Sequence, residues 1–254
     1  MCSDVFFHFV RRLRFISGFR CDKGFTEEMK ETKKIWREAD AVMFDVDSTV
    51  VREEGIDRLA DFCGKGAEIS KMTRDAMNKG LEFRESLRRR LELIDPTLEQ
   101  LEDFIRLHPT TLTPGIEDLI RLLHGRDVQV YLVSGGFDRI IEPTRFKLNI
   151  PEENLFANRL LFDENGLYAG FDTTRLTSKN SGKAEVAGLL KRKFRYKNLV
   201  MVGDGSIDAD ACPPADAFIG FGGNAIRENV KAKAKWYVTS FKELINESTD
   251  QLID

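Results

Sequence analysis

A chain of 254 residues with 42% apolar and 32% charged residues suits one large globular domain, or one domain carrying an insertion. Its formal charge of −3 gives no overall electrostatic case for nucleic acid or another polyanion, and no apolar stretch approaches the roughly 18 residues of a stable membrane insertion. Four cysteines (Cys2, Cys21, Cys63, Cys212) and three histidines (His8, His108, His124) lie scattered, which argues against a disulfide framework or a zinc knuckle and for a reducing compartment.

Residues 1–25 stand apart as a basic N-terminal extension. Arg11, Arg12, Arg14 and Arg20 face a single early acid, Asp4, with Phe6, Phe7, Phe9 and Phe15 interleaved. That composition fits an organelle transit peptide or an interfacial helix as well as it fits an incidental basic tail. A cytoplasmic location is expected, with an organelle as the alternative. From Glu27 to Ala39 the pattern is polar and helical, and it leads into an apolar strand over 41–46, "AVMFDV". Residues 54–124 then contain helical stretches and no convincing strand, with breaks at 64–66, at Gly80 and at Asp95-Pro96. A further helix opens after Thr113-Pro114. Next come the strand "VQVYLVSGG", ending its apolar run at Ser134, and two strands in "NRLLFDENGLYAGF" joined at Asn165-Gly166, a strong hairpin signal. A helix from Gly182 to about Tyr196, strands at 199–205 and 217–222, a helix near 224–234, the strand "WYVT" and a terminal helix complete the chain.

Short apolar strands alternating with helices predict an α/β fold with a doubly wound parallel sheet and a small β-hairpin. The core is expected to use 26–52 and 125–254, and 53–124 to form a mostly helical insertion over the sheet edge. In such a sheet the carboxyl ends of the strands share one crevice. The first strand brings Asp45 and Asp47 there, the next Ser134, and a third Asp204 of "GDGSID", with Asp208 just beyond; Lys183 opens a helix on the same edge. Singly, each fits a turn or cap residue or a solvated charge. Together, four carboxylates in one crevice require a cation, and hard oxygen donors without histidine or cysteine select Mg²⁺. A metal, a lysine and a hydroxyl suit a phosphoryl group. One carboxylate in line with phosphorus can act as nucleophile, and a second can serve as acid and then base.

"DVDST", the serine of "SGG", Lys183 and "GDGSID" resemble, in order and context, the four motifs of the haloacid dehalogenase-like phosphatases. "REEGID", "LTPGI", "FANRL", "YAGFD" and "ACPPADAFIGFGGN" narrow the resemblance to members acting on O-phospho-L-serine, over about Ala39 to Phe241. The resemblance implies a Rossmann-like core with an inserted helical cap. It implies Asp45 as the nucleophile that becomes aspartyl-phosphate and Asp47 as general acid and base. Mg²⁺ would sit on the Asp45 side chain, the Asp47 backbone carbonyl and Asp204, with Asp208 supporting, while Ser134, Gly135 and Lys183 contact phosphate. In the cap, Glu54 would take the substrate ammonium and Arg90 its carboxylate, with Met77 and Phe83 along the apolar side. Self-association as a homodimer is left open. Two positions depart from the family pattern. Ile207 replaces a polar residue before Asp208, and Asn78-Lys79 replace paired glycines. The runner-up is therefore a related capped phosphatase or phosphotransferase acting on another small phosphate ester. A phospho-accepting signalling domain shares the acceptor aspartate, hydroxyl and lysine, but Asp47 and the insertion argue against it.

Overall fold

The computed structural model describes residues 19–79 and 82–249. The expectations for residues 1–18, and for the side chains of Met77, Asn78 and Lys79, lie outside the described residues. Helix α1 (Phe19–Arg37) begins earlier than the expected Glu27 and leads into β1 (Ala41–Phe44). Helices α2 (Gly55–Phe62), α3 (Gly66–Lys79), α4 (Phe83–Ile94) and α5 (Leu98–Leu107) follow without an intervening strand. The chain then runs through α6 (Ile116–Gly125), β2 (Gln129–Phe137), α7 (Asp138–Lys147), β3 (Leu155–Asn158), β4 (Leu160–Phe162) and β5 (Tyr168–Phe171). It ends with α8 (Gly182–Phe194), β6 (Leu199–Gly203), α9 (Ser206–Ala209), β7 (Ala217–Phe221), α10 (Glu228–Lys233), β8 (Trp236–Val238) and α11 (Phe241–Thr249).

Six strands form a parallel sheet in the order β3-β2-β1-β6-β7-β8. Alternate residues of the central strands face opposite layers, as the two-residue period of a strand requires. Val42, Phe44, Val130, Leu132, Val200 and Val202 pack with Trp36 of α1, Leu119 and Leu123 of α6, and Phe241 and Leu244 of α11. Met43, Tyr131, Val133, Leu199 and Met201 meet Val186, Ala187 and Leu190 of α8 on the other face. With both faces covered, every residue of β1 is buried.

A third apolar cluster joins Leu59 of α2, Ile69 of α3, Leu87, Leu91 and Ile94 of α4, and Leu101 and Phe104 of α5. It packs on Phe137 and Ile140 of the core, and on Leu160 and Phe171 of the β4–β5 hairpin. The two connections to this helical block run side by side: Val51 bridges Leu112 in antiparallel fashion, Arg52 N donates to Thr111 O (3.0 Å) and Thr113 N to Val50 O (2.9 Å). The sheet order places β1 between β2 and β6, so the carboxyl ends of all three open into one crevice beneath this ribbon. Among the described residues no helix is long and apolar enough to cross a membrane.

Candidate active site

β1 stops at Phe44, two residues short of the expected strand, because the next segment turns. Asp45 is still extended and its amide donates to Val202 O (2.9 Å), continuing the ladder. Asp47 is extended too, and Ser48 then adopts left-handed angles (φ 54°, ψ 5°), which cost a non-glycine residue on the order of 1 kcal/mol. Of the four carboxylates expected in the crevice, three cluster most tightly. Asp45, Asp204 and Asp208 each offer an oxygen within 4.8 Å of the others. The Asp47 carboxylate is not in that group: its Oδ1 accepts the Gly55 amide (2.9 Å), and its Oδ2 lies 3.0 Å from where a Cβ on Gly136 would stand.

The trio is held from below. Lys183, buried at the start of α8, places Nζ 2.6 Å from Asp45 and 2.5 Å from Asp208. Asp208 Oδ2 folds back to accept the Gly205 amide (2.8 Å), and it fits only because Gly203 lacks a Cβ, which would lie 2.2 Å away. Burial works against the Lys183 charge, but Asp208 and Asp45 outweigh it and hold the ammonium above the usual lysine value. Burial and then the Asp45 charge push Asp208 up to about 7, and they raise Asp204 as well. The cluster is therefore short of positive charge. Three buried or half-buried carboxylates of this kind, all oxygen donors, fit a hard divalent cation. Asp47 is pushed up to about 8, first by burial and then by Glu54 and Asp45. A carboxyl with that value carries its proton at neutral pH, as a general acid must.

On the β2 side, Ser134 is fully buried and its Oγ accepts the Gly136 amide (2.8 Å). Asn158 donates to Gly135 O (2.8 Å) and accepts the Thr177 hydroxyl (3.0 Å), which fixes the "SGG" turn from behind. The Phe83 ring lies on Gly135, where a Cβ would come within 2.8 Å of it. Glu54, the N-cap position of α2, accepts the Ser48 hydroxyl (2.8 Å), and burial raises its carboxyl. Arg90 is half-buried on α4 and its Nε reaches Ser86 O (3.4 Å). Burial lowers its guanidinium against the pull of Asp57, Glu54 and Asp47. The structure thus brings Asp45, Asp47, Ser134, Gly135, Lys183, Asp204, Asp208, Glu54, Phe83 and Arg90 around one crevice.

Two neighbours escaped the sequence reading. Arg227 joins Asp204 (2.7 Å) to Glu54 (3.1 Å), and Asn224 reaches the carbonyl of Ser48 (3.1 Å). Both lie in a loop that was expected to start a helix near 224, whereas α10 starts at Glu228. Asn224 ends the "FGGN" stretch, and that motif was the available signal.

A family model described as haloacid dehalogenase-like hydrolase matches residues 39–216. A phosphoserine phosphatase of Rattus norvegicus is 56% identical over 217 residues, covering 85% of this chain and 96% of that protein. A chloroplastic phosphoserine phosphatase of Arabidopsis thaliana is 44% identical over 219 residues, covering 85% and 74%. A solved structure described as a phospho-aspartyl intermediate analogue of phosphoserine phosphatase superposes with a TM-score of 0.70 at 30% identity, covering 82% of this chain and 98% of that one. Fold, motif order and relatives agree: this chain belongs to the haloacid dehalogenase-like hydrolases, in the phosphoserine phosphatase group.

Proposed function

We propose that this enzyme hydrolyses O-phospho-L-serine to L-serine and phosphate through an aspartyl-phosphate on Asp45. The observation that carries the reading is the contrast between two neighbouring aspartates. Asp45 is paired to Lys183 at 2.6 Å, and Asp47 is raised to about 8 and turned away from that pair. In the first step an Asp45 oxygen attacks phosphorus, the ester P–O bond breaks, and the Asp47 proton goes to the departing serine oxygen. In the second, water attacks phosphorus, the bond to Asp45 breaks, and Asp47 takes the proton from that water. Lys183, the Ser134 hydroxyl and the Gly135 amide hold the phosphoryl oxygens. Mg²⁺ is the cation proposed for Asp45, Asp204, Asp208 and the Asp47 carbonyl, where it supplies positive charge to those same oxygens.

The helical block, placed at 53–124 from the sequence, is proposed as the cap that excludes water. Glu54 takes the ammonium group and Arg90 the carboxylate, while Phe83 flanks the carbon chain. A second reading, the same chemistry on another small phosphate ester, draws on Ile207, a partly buried apolar residue beside Asp208. The proposed location is cytoplasmic, with an organelle directed by the arginine-rich N-terminus as the alternative. Turnover of phosphate-labelled O-phospho-L-serine, quenched in acid and mapped by peptide, tests the covalent step. Label on the peptide containing Asp45, absent from Asp45→Asn, is expected. Turnover with no label on any peptide contradicts the reading.

A further inference from the structure

The loop after β7 touches the hinge of the helical block at a point the catalytic roles leave unexplained. Asn224 Nδ2 lies 2.6 Å from Thr113 Oγ1 and 3.1 Å from Ser48 O, with Val51 O at 3.4 Å and Thr49 O at 3.5 Å. Ser48, Thr49 and Val51 belong to the outgoing connection and Thr113 to the returning one. A primary amide has two N–H groups, and here one serves each connection. The carbonyls of 48, 49 and 51 converge on this one donor, so an oxygen in its place would face three oxygens.

We propose that Asn224 is a positioning residue that clasps both connections and thereby sets where Glu54 stands relative to Asp45. The coupling runs through Ser48. Its carbonyl is held by Asn224 while its backbone is left-handed, and its hydroxyl donates to Glu54 Oε1 (2.8 Å). Arg227, three residues further along the same loop, holds Glu54 directly (3.1 Å). The loop therefore grips the carboxylate twice, directly through Arg227 and indirectly through Asn224 and Ser48. This inference rests on the reading that Glu54 receives the substrate ammonium.

The test uses full-length Asn224→Asp, which keeps the side-chain shape and can accept from Thr113 but cannot donate to Ser48 O. Steady-state KM is compared for O-phospho-L-serine and for p-nitrophenyl phosphate, which has no ammonium group. Amide hydrogen exchange is followed over residues 48–52 and 111–113. The proposal expects faster exchange in both segments and a KM for O-phospho-L-serine raised about tenfold more than that for the aryl ester. Thr113→Val, which removes the other side of the clasp, should move both readouts in the same direction and serves if the aspartate variant does not fold. Unchanged exchange in either segment overturns the clasp. Faster exchange with KM values that move in parallel overturns its role in placing Glu54. If the wild-type protein does not act on O-phospho-L-serine, the functional reading has failed, and exchange alone still decides the clasp.

Discussion

At the scale of single residues, Asp45 and Asp47 are two residues apart, and the proposal gives them different tasks, nucleophile and proton carrier. The backbone separates them: the strand ends before Asp45, and the left-handed Ser48 turns the following chain toward Gly55. Asp47→Asn keeps the bond from the Gly55 amide but can neither release nor accept the catalytic proton, so kcat should fall by about 10²–10⁴. Stability should respond as well. Asp47 and Asp208 have folded values of about 8 and about 7, above the ordinary 3.8. The folded state therefore binds more protons than the unfolded chain over that window, and stability of the metal-stripped protein should fall as pH rises through it. Melting of EDTA-treated protein from pH 5 to pH 8 should show a steeper drop for wild type than for Asp47→Asn. Equal slopes would contradict the placement of Asp47. The motif aspartates, Ser134 and Lys183 were legible because each sits at a strand end or helix start whose pattern is strong. Asn224 and Arg227 were not, because a polar run with scattered alanine and valine reads as helix whether or not a loop precedes it.

Among the elements, α5 is held by a capping box. Thr97 Oγ1 accepts the Gln100 amide (3.1 Å) and Gln100 Oε1 accepts the Thr97 amide (2.9 Å). Thr97→Ala should lower unfolding stability by about 1 kcal/mol in a urea titration, and an unshifted midpoint would show that the cap is not what fixes this helix. The start of α8 is more exacting. A Cβ on Gly182 would lie 2.3 Å from Leu176 O, so Gly182→Ala must shift the turn that presents Lys183. A displacement near 1 Å at the site should cost about a hundredfold in kcat/KM, measured on folded protein. The hairpin β4–β5 was legible from Asn165-Gly166, whose glycine takes φ 74° in the structure. β3 was not. Its four residues, Leu155–Asn158, show neither alternation nor length, and only pairing with β2 makes them a strand. Its last residue, Asn158, then supports Gly135, so this unread strand carries part of the site.

For the whole molecule, the parallel sheet gathers acidic side chains at one edge, where Lys183 and Arg227 offset part of their charge and the remainder suits a divalent cation. Divalent metal should therefore raise the melting temperature, because it adds unfolding free energy that grows with its concentration over Kd and reaches about 2.7 kcal/mol at a hundredfold excess. Asp204→Asn should shrink that shift, and an unchanged shift would place the metal elsewhere. Fold class and catalytic edge were readable from strand-ending chemistry. The hinge, where two connections and the loop after β7 meet, was not, because it is made of contacts between segments far apart in sequence. The measurement that bears most directly on the account is phosphate release from O-phospho-L-serine by the purified protein, with and without Mg²⁺, beside Asp45→Asn, with O-phospho-L-threonine and p-nitrophenyl phosphate in parallel. Release that requires both Mg²⁺ and Asp45 and that favours phosphoserine is expected. Release that persists in Asp45→Asn, or that spares phosphoserine while consuming the other esters, would contradict it.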